Sequence, residues 1–176
     1  MKEDIPTITT LHDLVDYDAR KLASAERQLE SILPDWINKA GSVTLKNILQ
    51  QYLDFVKKQN EKVQDFVNDE NINSLSRINH VMQSFIIETR ERVNSCTDME
   101  VQDACLLASI QGINHYKISM YGTAAAFAKA LGNDKYAVIF HEAEMNEKQI
   151  DEKLSLLAEH EINNKARSPI VLPNKS

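Results

Sequence analysis

A long helical pattern in the middle of the chain places a lysine on the face that should be buried. At about 100° per residue, the apolar side chains of this segment fall on one side of the helix. They are Leu106, Ile110, Ile113, Ala124 and Ala128. Lys117 falls in the middle of that side and Asn114 at its edge, whereas His115 points roughly the opposite way. A lysine in a buried stripe either extends its ammonium to water or meets an acid, so the fold must supply one of the two.

Turn-forming residues are scarce in this chain, which has four glycines and four prolines among 176 residues. Its many Leu, Ala, Glu, Lys and Gln residues are strong helix formers. With 43% hydrophobic residues, the chain is long enough to bury one substantial core. We therefore predict a single all-α domain.

The acidic net charge and the lack of long apolar runs limit the classes of partner and the location that we expect for this protein. A formal charge of −6 argues against nucleic acid or an anionic membrane. No run of about 18 apolar residues occurs, so we expect no transmembrane helix, and we expect no signal peptide. Two cysteines are too few for a disulfide framework, and we interpret Cys105 as a small buried residue and Cys96 as a loop residue. These features predict a cytoplasmic protein.

The first two helices follow from their apolar periodicity. Thr9 or Thr10 is expected to cap the first helix. Pro34 is expected to end or bend it, with a turn over 35–41. The second helix is predicted over about 42–69, capped at its start by Ser42 or Thr44.

The second half of the chain is expected to begin with a short helix over about 75–93. Thr97 or Asp98 is expected to cap the third long helix, which runs to about Leu131. Gly132 is a stop signal, because glycine readily takes the left-handed conformation that closes a helix. A fourth long helix is predicted over about 135–162. We thus predict a flexible N-terminus (1–8), a helical bundle (9–162) and an extended or disordered tail (163–176).

Bundles of this kind often build metal sites from inward-facing carboxylates and histidines on facing helices. Glu26 lies inside the stripe of the first helix and Glu147 at the centre of the fourth. Asp151 and Glu144 fall at the edge of the fourth stripe, where residues are more often solvated. Two interpretations of the central glutamates stay open: they belong to a site or its remnant, or they form a simple salt bridge with Lys117.

The remaining long helices contribute few candidate ligands. In the second stripe, Tyr52 and Phe55 take the central positions and no charged residue does. The third adds Asn114 and Lys117, with Tyr121 one turn further. Four histidines lack the spacing of a zinc site, and we interpret them as surface residues: His12, His80, His141 and His160.

Three stretches together carry a resemblance to a known family. Residues 24–29 read Ser-Ala-Glu-Arg-Gln-Leu, residues 114–123 read Asn-His-Tyr-Lys-Ile-Ser-Met-Tyr-Gly-Thr, and an acidic run follows over 142–154. With them the chain resembles the ferritin-like bacterial YciF/YciE family over nearly all of 8–160. The resemblance implies a ferritin-like four-helix bundle with a short extra helix between the second and third long helices. It also implies a homodimer, a link to bacterial stress responses and a di-metal centre, with no settled activity.

Only part of that family's ligand set is present. Its first-helix glutamate corresponds to Glu26, and its fourth-helix acids to Glu147 and Asp151. Its second helix usually offers a histidine and a glutamate three apart, where this chain has Tyr52 and Phe55.

The family's third helix usually reads Glu-His-Tyr-Glu, where this chain has Asn114 and Lys117 in place of the two glutamates. Two divalent ions in a dry site call for about four carboxylate charges. The three acids supply three negative charges and Lys117 cancels one of them. The two negative charges that remain balance one divalent ion at most. We therefore predict a degenerate, non-catalytic site plugged by Lys117 and no resident cofactor.

Two alternatives compete with this prediction. The first is a metal-dependent oxidase or peroxide-handling protein that keeps one ion, with iron or manganese at low occupancy, on Glu26, Glu147 and Asp151. The second is an interaction module that uses the apolar face of the 75–93 helix, formed by Met82, Phe85 and Ile86.

Overall fold

The computed structural model describes residues 7–72 and 78–167, and within these ranges it contains helices and no strand. The helices are α1 (Leu11–Lys39), α2 (Val43–Asp69), α3 (His80–Ser95), α4 (Met99–Ala130), α5 (Asp134–Leu157) and α6 (Asn163–Ala166), with a π-helical segment (Ala158–Ile162) between α5 and α6. The predicted all-α bundle, with a short helix between the second and third long ones, is confirmed.

The first helix is longer than its sequence suggests. Thr10 caps α1 in a reciprocal capping box with Asp13, as its position predicts. The predicted turn after Pro34 is wrong, because α1 continues to Lys39. Pro34 itself is exposed, while Leu33 and Trp36 on either side of it are buried. Burial of these two side chains outweighs the local cost of the proline.

Two side-chain caps set the starts of α2 and α3. Ser42 accepts from the backbone N–H of Leu45 and starts α2 at the predicted place. The predicted start of the short helix at about residue 75 is wrong. Residues 78 and 79, the described residues just before this helix, are not helical. Asn79 caps α3 by accepting from Met82 N, which fixes the start at His80. Residues 73–77 lie outside the described ranges.

The last long helices begin and end close to the predicted residues. Asp98 caps α4 by accepting from the N–H groups of Glu100 and Val101. Gly132 follows α4 with a φ of 74°, the left-handed conformation expected for a helix stop. Beyond α5 the chain stays helical past the expected end at 162, through α6, and Arg167 follows as a turn. The rest of the expected tail, 168–176, lies outside the described ranges, and the predicted domain boundaries stay predictions.

The long helices pack mainly as two antiparallel pairs, α1 with α2 and α4 with α5. The buried apolar residues form two clusters that follow one another along the bundle. Leu29, Val56, Ile113 and Ile150 belong to the first cluster, and Leu22, Val63, Tyr121 and Ala143 to the second. On each long helix a buried polar residue lies between its members of the two clusters. A polar layer therefore crosses the bundle where the two apolar clusters meet. Among the described helices, none is both long and apolar enough to cross a membrane.

Candidate functional site

The polar layer consists of five buried side chains, at least one from each long helix. They are Glu26 from α1, Gln59 from α2, Asn114 and Lys117 from α4, and Glu147 from α5. Each is at most 2% exposed. Helical periodicity puts them there, because each lies three or four residues from buried apolar neighbours. Burying charged groups this deeply requires that they satisfy one another.

Lys117 stands at the centre of the layer. Its Nζ lies 2.6 Å from Oε1 of Glu147 and 3.0 Å from Oε1 of Glu26. The ammonium also lies 5.0 Å from the ring centroid of Tyr52 and 5.9 Å from that of Tyr121. Aromatic faces at these distances attract a cation. The sequence leaves open whether the Lys117 ammonium reaches water or an acid. In the fold it lies against two carboxylates and close to two aromatic rings.

Neutral donors complete the surroundings of Glu147. Its Oε2 accepts from the hydroxyl of Tyr52 at 2.8 Å and from Nδ2 of Asn114 at 2.7 Å. The same amide nitrogen donates to the backbone carbonyl oxygen of Glu147 at 3.0 Å. Asn114 therefore fixes both the main chain and the side chain of Glu147, and it ties α4 to α5 at this level.

Glu26 has fewer partners than Glu147. Its Oε1 accepts from the hydroxyl of Tyr121 at 2.5 Å and contacts Lys117. Its Oε2 is buried and accepts no hydrogen bond from the described residues. Oδ1 of Asn114 and Oε1 of Gln59 are likewise buried acceptors without a donor in the described part of the chain. Three buried acceptor oxygens of the layer thus lack a donor among the described residues, and the layer carries one surplus negative charge when both glutamates are ionised.

Burial and charge move several pKa values in this layer. Burial raises the pKa of Glu26, Lys117 opposes that rise, and the Glu147 charge adds to it. Burial alone would lower the pKa of Lys117, but the Glu147 and Glu26 carboxylates overcome it and the pKa is raised. Burial and the same carboxylates raise the pKa of Tyr52 and Tyr121 well above that of free tyrosine. Lys117 is therefore a cation at neutral pH and both phenols are neutral donors.

Two of the predicted site residues lie outside the layer. Asp151, one turn beyond Glu147, has its Oδ1 3.2 Å from Nε2 of His115, whose side chain is 64% exposed. The structure therefore places Asp151 at the surface edge of the α4–α5 pair. Phe55 is partly buried at the edge of the first apolar cluster, and Val56 takes the central position instead.

Within the polar layer, Gln59 is the buried residue that the sequence pattern was not used to predict. It is 2% exposed and extends the stripe of α2 at a spacing of three from Val56 and four to Val63. The spacing i, i+4, i+7 counted from Tyr52 gives Val56 and Gln59. Placing Phe55 at the centre instead shifts the predicted buried stripe by one residue and leaves Gln59 out. The signal was present in the spacing.

The side chains of the layer do not suit the di-metal centre that the resemblance implies. Two carboxylates point inward, Glu26 and Glu147, and a lysine ammonium lies against an oxygen of each. The ammonium already places a positive charge between these oxygens, so it competes directly with any divalent ion for them. Among the described residues, no group of three or more His, Cys, Asp or Glu side chains is arranged to hold a metal ion.

Comparison with known proteins gives consistent matches. The family model described as "Domain of unknown function (DUF892)" matches residues 10–167. Protein YciF of Escherichia coli K12 is 32% identical over 160 residues, covering 90% of this chain and 96% of YciF.

Two solved structures share the fold along most of their length. The crystal structure of "the E. coli stress protein YciF" superposes with a TM-score of 0.82 at 31% identity, covering 92% of this chain and 100% of that one. The structure of YcfI, described as "a putative structural protein" from Rhodopseudomonas palustris, superposes with a TM-score of 0.81 at 28% identity and covers 88% and 97% of the two chains.

Proposed function

This chain belongs to the DUF892 family, and on that premise we propose that it is a stress-associated, ferritin-like bundle protein whose metal site has become a structural ion-pair layer. The observation that carries the proposal is the position of the Lys117 ammonium, 2.6 Å and 3.0 Å from the two inward-facing glutamates. In this proposal the lysine supplies the positive charge that metal ions supply in other ferritin-like bundles. The protein then has no redox centre in this layer and acts non-catalytically.

The hydrogen bonds around the glutamates support this assignment. Tyr52 and Asn114 donate to Glu147, and Tyr121 donates to Glu26. Each donor occupies a carboxylate oxygen that a metal ion would otherwise bind. The proposed remnant of the ligand set is Glu26 and Glu147, with Asp151 turned toward His115 at the edge.

The competing proposal is a metal-dependent oxidase or peroxide-handling protein that keeps one iron or manganese ion. Glu26 favours it, because its Oε2 has no donor among the described residues and one negative charge remains unbalanced. An ion bound there would still have to approach within a few ångströms of the ammonium of Lys117, which is costly in a dry site.

Oxygen consumption separates the two proposals. The purified protein is loaded anaerobically with ferrous iron, and oxygen uptake is recorded on exposure to air, with a ferritin as the positive control. The proposed structural layer predicts uptake equal to that of buffer containing the same iron. Uptake above that level that saturates with protein concentration, and is lost in Glu147→Gln, contradicts the proposal and supports the oxidase.

The resemblance also leads us to propose a homodimer. Val138 and Met145 on α5 are 58% and 42% exposed, and apolar side chains in such positions suit contact with a second copy. Light scattering after size exclusion tests this proposal, which predicts twice the chain mass of 20.0 kDa. A mass equal to one chain across the concentration range contradicts it.

A further inference from the structure

Two side chains of α4 hold the turn between α1 and α2 against the start of α4. The carboxylate of Asp103 accepts from the N–H groups of Gly41 and Ser42. Nε2 of Gln102 donates to the carbonyl oxygen of Lys39, the last residue of α1, at 2.8 Å. These bonds satisfy backbone groups where one helix ends and the next begins. The turn therefore depends on hydrogen bonds from α4.

Met99, the first residue of α4, lies on this junction. Its side chain takes the place that a side chain of Gly41 would occupy, because a Cβ built there would lie 2.5 Å from Cγ and 2.9 Å from Sδ of Met99. The same point lies 3.2 Å from Oδ2 of Asp103. Nε2 of Gln102 also donates weakly to Sδ of Met99 at 3.6 Å. The sulfur therefore contacts one of the two side chains that hold the turn and lies close to the other.

The thioether of Met99 is open to solvent. Met99 is 54% exposed and lines a cavity of about 290 Å³ beside the turn, together with Gly41, Asp103 and Lys165. Met82 on α3, in contrast, is fully buried. A peroxide dissolved in water can therefore reach the sulfur of Met99, whereas packing shields that of Met82.

We propose that Met99 is a reversible redox modification site, which a hydroperoxide converts to the sulfoxide and which then loosens the turn between α1 and α2 from α4. The step balances with hydrogen peroxide: the sulfur lone pair attacks one oxygen, the S–O bond forms, the O–O bond breaks, and the other oxygen leaves as water. Sulfur loses two electrons and the peroxide gains them. A methionine sulfoxide reductase reverses the step, with a dithiol that becomes a disulfide as water leaves. The site lies outside the polar layer around Lys117, so the inference does not depend on the proposed function.

The sulfoxide changes the hydrogen bonding at the junction. A thioether sulfur is a weak acceptor, whereas oxidation makes the side chain polar and adds an oxygen that accepts hydrogen bonds. This oxygen competes with the Lys39 carbonyl for Nε2 of Gln102. It also brings a negative partial charge close to the carboxylate of Asp103, which has no proton to donate. Both effects take partners from the backbone of the turn, and an unpaired buried polar group is costly.

Peptide mapping and thermal unfolding of the full chain test the proposal. Freshly reduced protein is treated with hydrogen peroxide and digested with trypsin, which leaves Met82, Met99 and Met145 on separate peptides. We expect the peptides of Met99 and Met145 to gain one oxygen atom and that of Met82 to gain none. The melting temperature should fall by about 3–8 °C. It should recover after treatment with methionine sulfoxide reductases and dithiothreitol.

Met99→Leu and Met145→Leu are matched variants. Each removes an exposed thioether with little change in side-chain volume, and Met145 lies in the middle of α5. Peroxide should leave the melting temperature of Met99→Leu unchanged, whereas that of Met145→Leu should fall as much as the wild type. Met99→Gln places a polar acceptor at the junction without an oxidant. Its melting temperature should be lower than that of Met99→Leu.

Hydrogen exchange locates the structural change. The amide hydrogens of Gly41 and Ser42, which bond to Asp103, should exchange at least about tenfold faster after oxidation of the wild type. They should not do so in peroxide-treated Met99→Leu. Oxidation of Met145 while Met99 stays untouched overturns the proposal. So does a fall in melting temperature that persists in Met99→Leu, or an oxidised Met99 with unchanged melting temperature and unchanged exchange in the turn.

Discussion

The ammonium of Lys117 on α4 lies 2.6 Å from Oε1 of Glu147 on α5, and both side chains are almost completely buried. Glu26 on α1 lies against the same ammonium at 3.0 Å. These contacts tie three of the four long helices together at one level of the bundle. The layer therefore links the α1–α2 pair to the α4–α5 pair.

Replacing Lys117 by methionine should destabilise the protein strongly. Methionine keeps most of the volume but leaves Glu26 and Glu147 buried without a cation. We expect a loss of about 3–5 kcal/mol in the free energy of unfolding, measured by urea denaturation. Lys148→Met is the matched control, because Lys148 forms an exposed i, i+4 pair with Glu144 and should contribute at most about 1 kcal/mol.

The double variant Lys117→Met, Glu147→Gln should recover part of that loss. Removing the carboxylate along with the ammonium leaves one buried charge fewer, so the two effects should not add. A coupling energy of at least about 1 kcal/mol is expected from the double-mutant cycle. If Lys117→Met costs no more than Lys148→Met, the ammonium is not paired in a buried layer.

Tyr52→Phe should cost more than the loss of an exposed hydroxyl. The Tyr52 hydroxyl donates to Oε2 of buried Glu147, which cannot recover the bond from water. A loss of about 1–3 kcal/mol is expected in thermal or urea unfolding. Tyr136→Phe is the control, since its hydroxyl donates to Asp69, whose side chain is 51% exposed. Equal losses in the two variants would contradict the buried geometry.

Alkaline pH should destabilise the fold through the polar layer. The pKa of Lys117 is raised above 10.5, so its contribution is complete below about pH 10.5 and is lost as pH rises through the folded-state pKa. Tyr52 and Tyr121 act in the same direction, because their pKa values are raised well above 10.0. Each such group lowers the free energy of unfolding by up to about 1.4 kcal/mol per pH unit in that range.

Urea denaturation between about pH 9 and pH 11.5 measures this dependence. The free energy of unfolding of Lys117→Met should fall less steeply with pH than that of the wild type, and the difference should equal the contribution of one titrating group. An identical decline in both proteins would mean that Lys117 has the same pKa folded and unfolded.

Asp103→Ala should loosen the turn between α1 and α2. The buried carboxylate of Asp103 accepts from the N–H groups of Gly41 and Ser42, both at 2.7 Å. Removing it leaves two amides unpaired, and a loss of about 2–4 kcal/mol is expected in urea unfolding. Glu100→Ala, one turn earlier on α4 and exposed, should change stability by less than about 0.5 kcal/mol. A small effect of Asp103→Ala would show that water replaces the carboxylate.

The centre of the site was predictable because helical periodicity alone fixes which residues face inward. Glu26, Lys117 and Glu147 each lie one turn away from buried apolar residues on both sides. Apolar residues three or four positions away are enough to identify the buried face of a helix. Which acid pairs with which cation depends on how the helices align. That alignment is a property of the packed bundle, so periodicity left the partners open.

The errors arose where tertiary packing or a local cap decided the outcome. Pro34 is a helix-ending signal, yet the burial of Trp36 carries α1 onward to Lys39. Asn79 caps α3 and also donates hydrogen bonds to Ser24 and Lys21 of α1 and to the hydroxyl of Tyr116 on α4, which no short-range pattern reveals.

The central claim is that the Lys117 ammonium takes the place of metal ions, and metal stoichiometry tests it most directly. The protein is expressed in medium supplemented with iron and manganese, purified without chelators and analysed by inductively coupled plasma mass spectrometry, beside Lys117→Glu. The account predicts less than about one tenth of an equivalent per chain in the wild type, because the buried cation excludes a divalent ion, and a higher content in the variant. Two equivalents of iron or manganese per wild-type chain would contradict it.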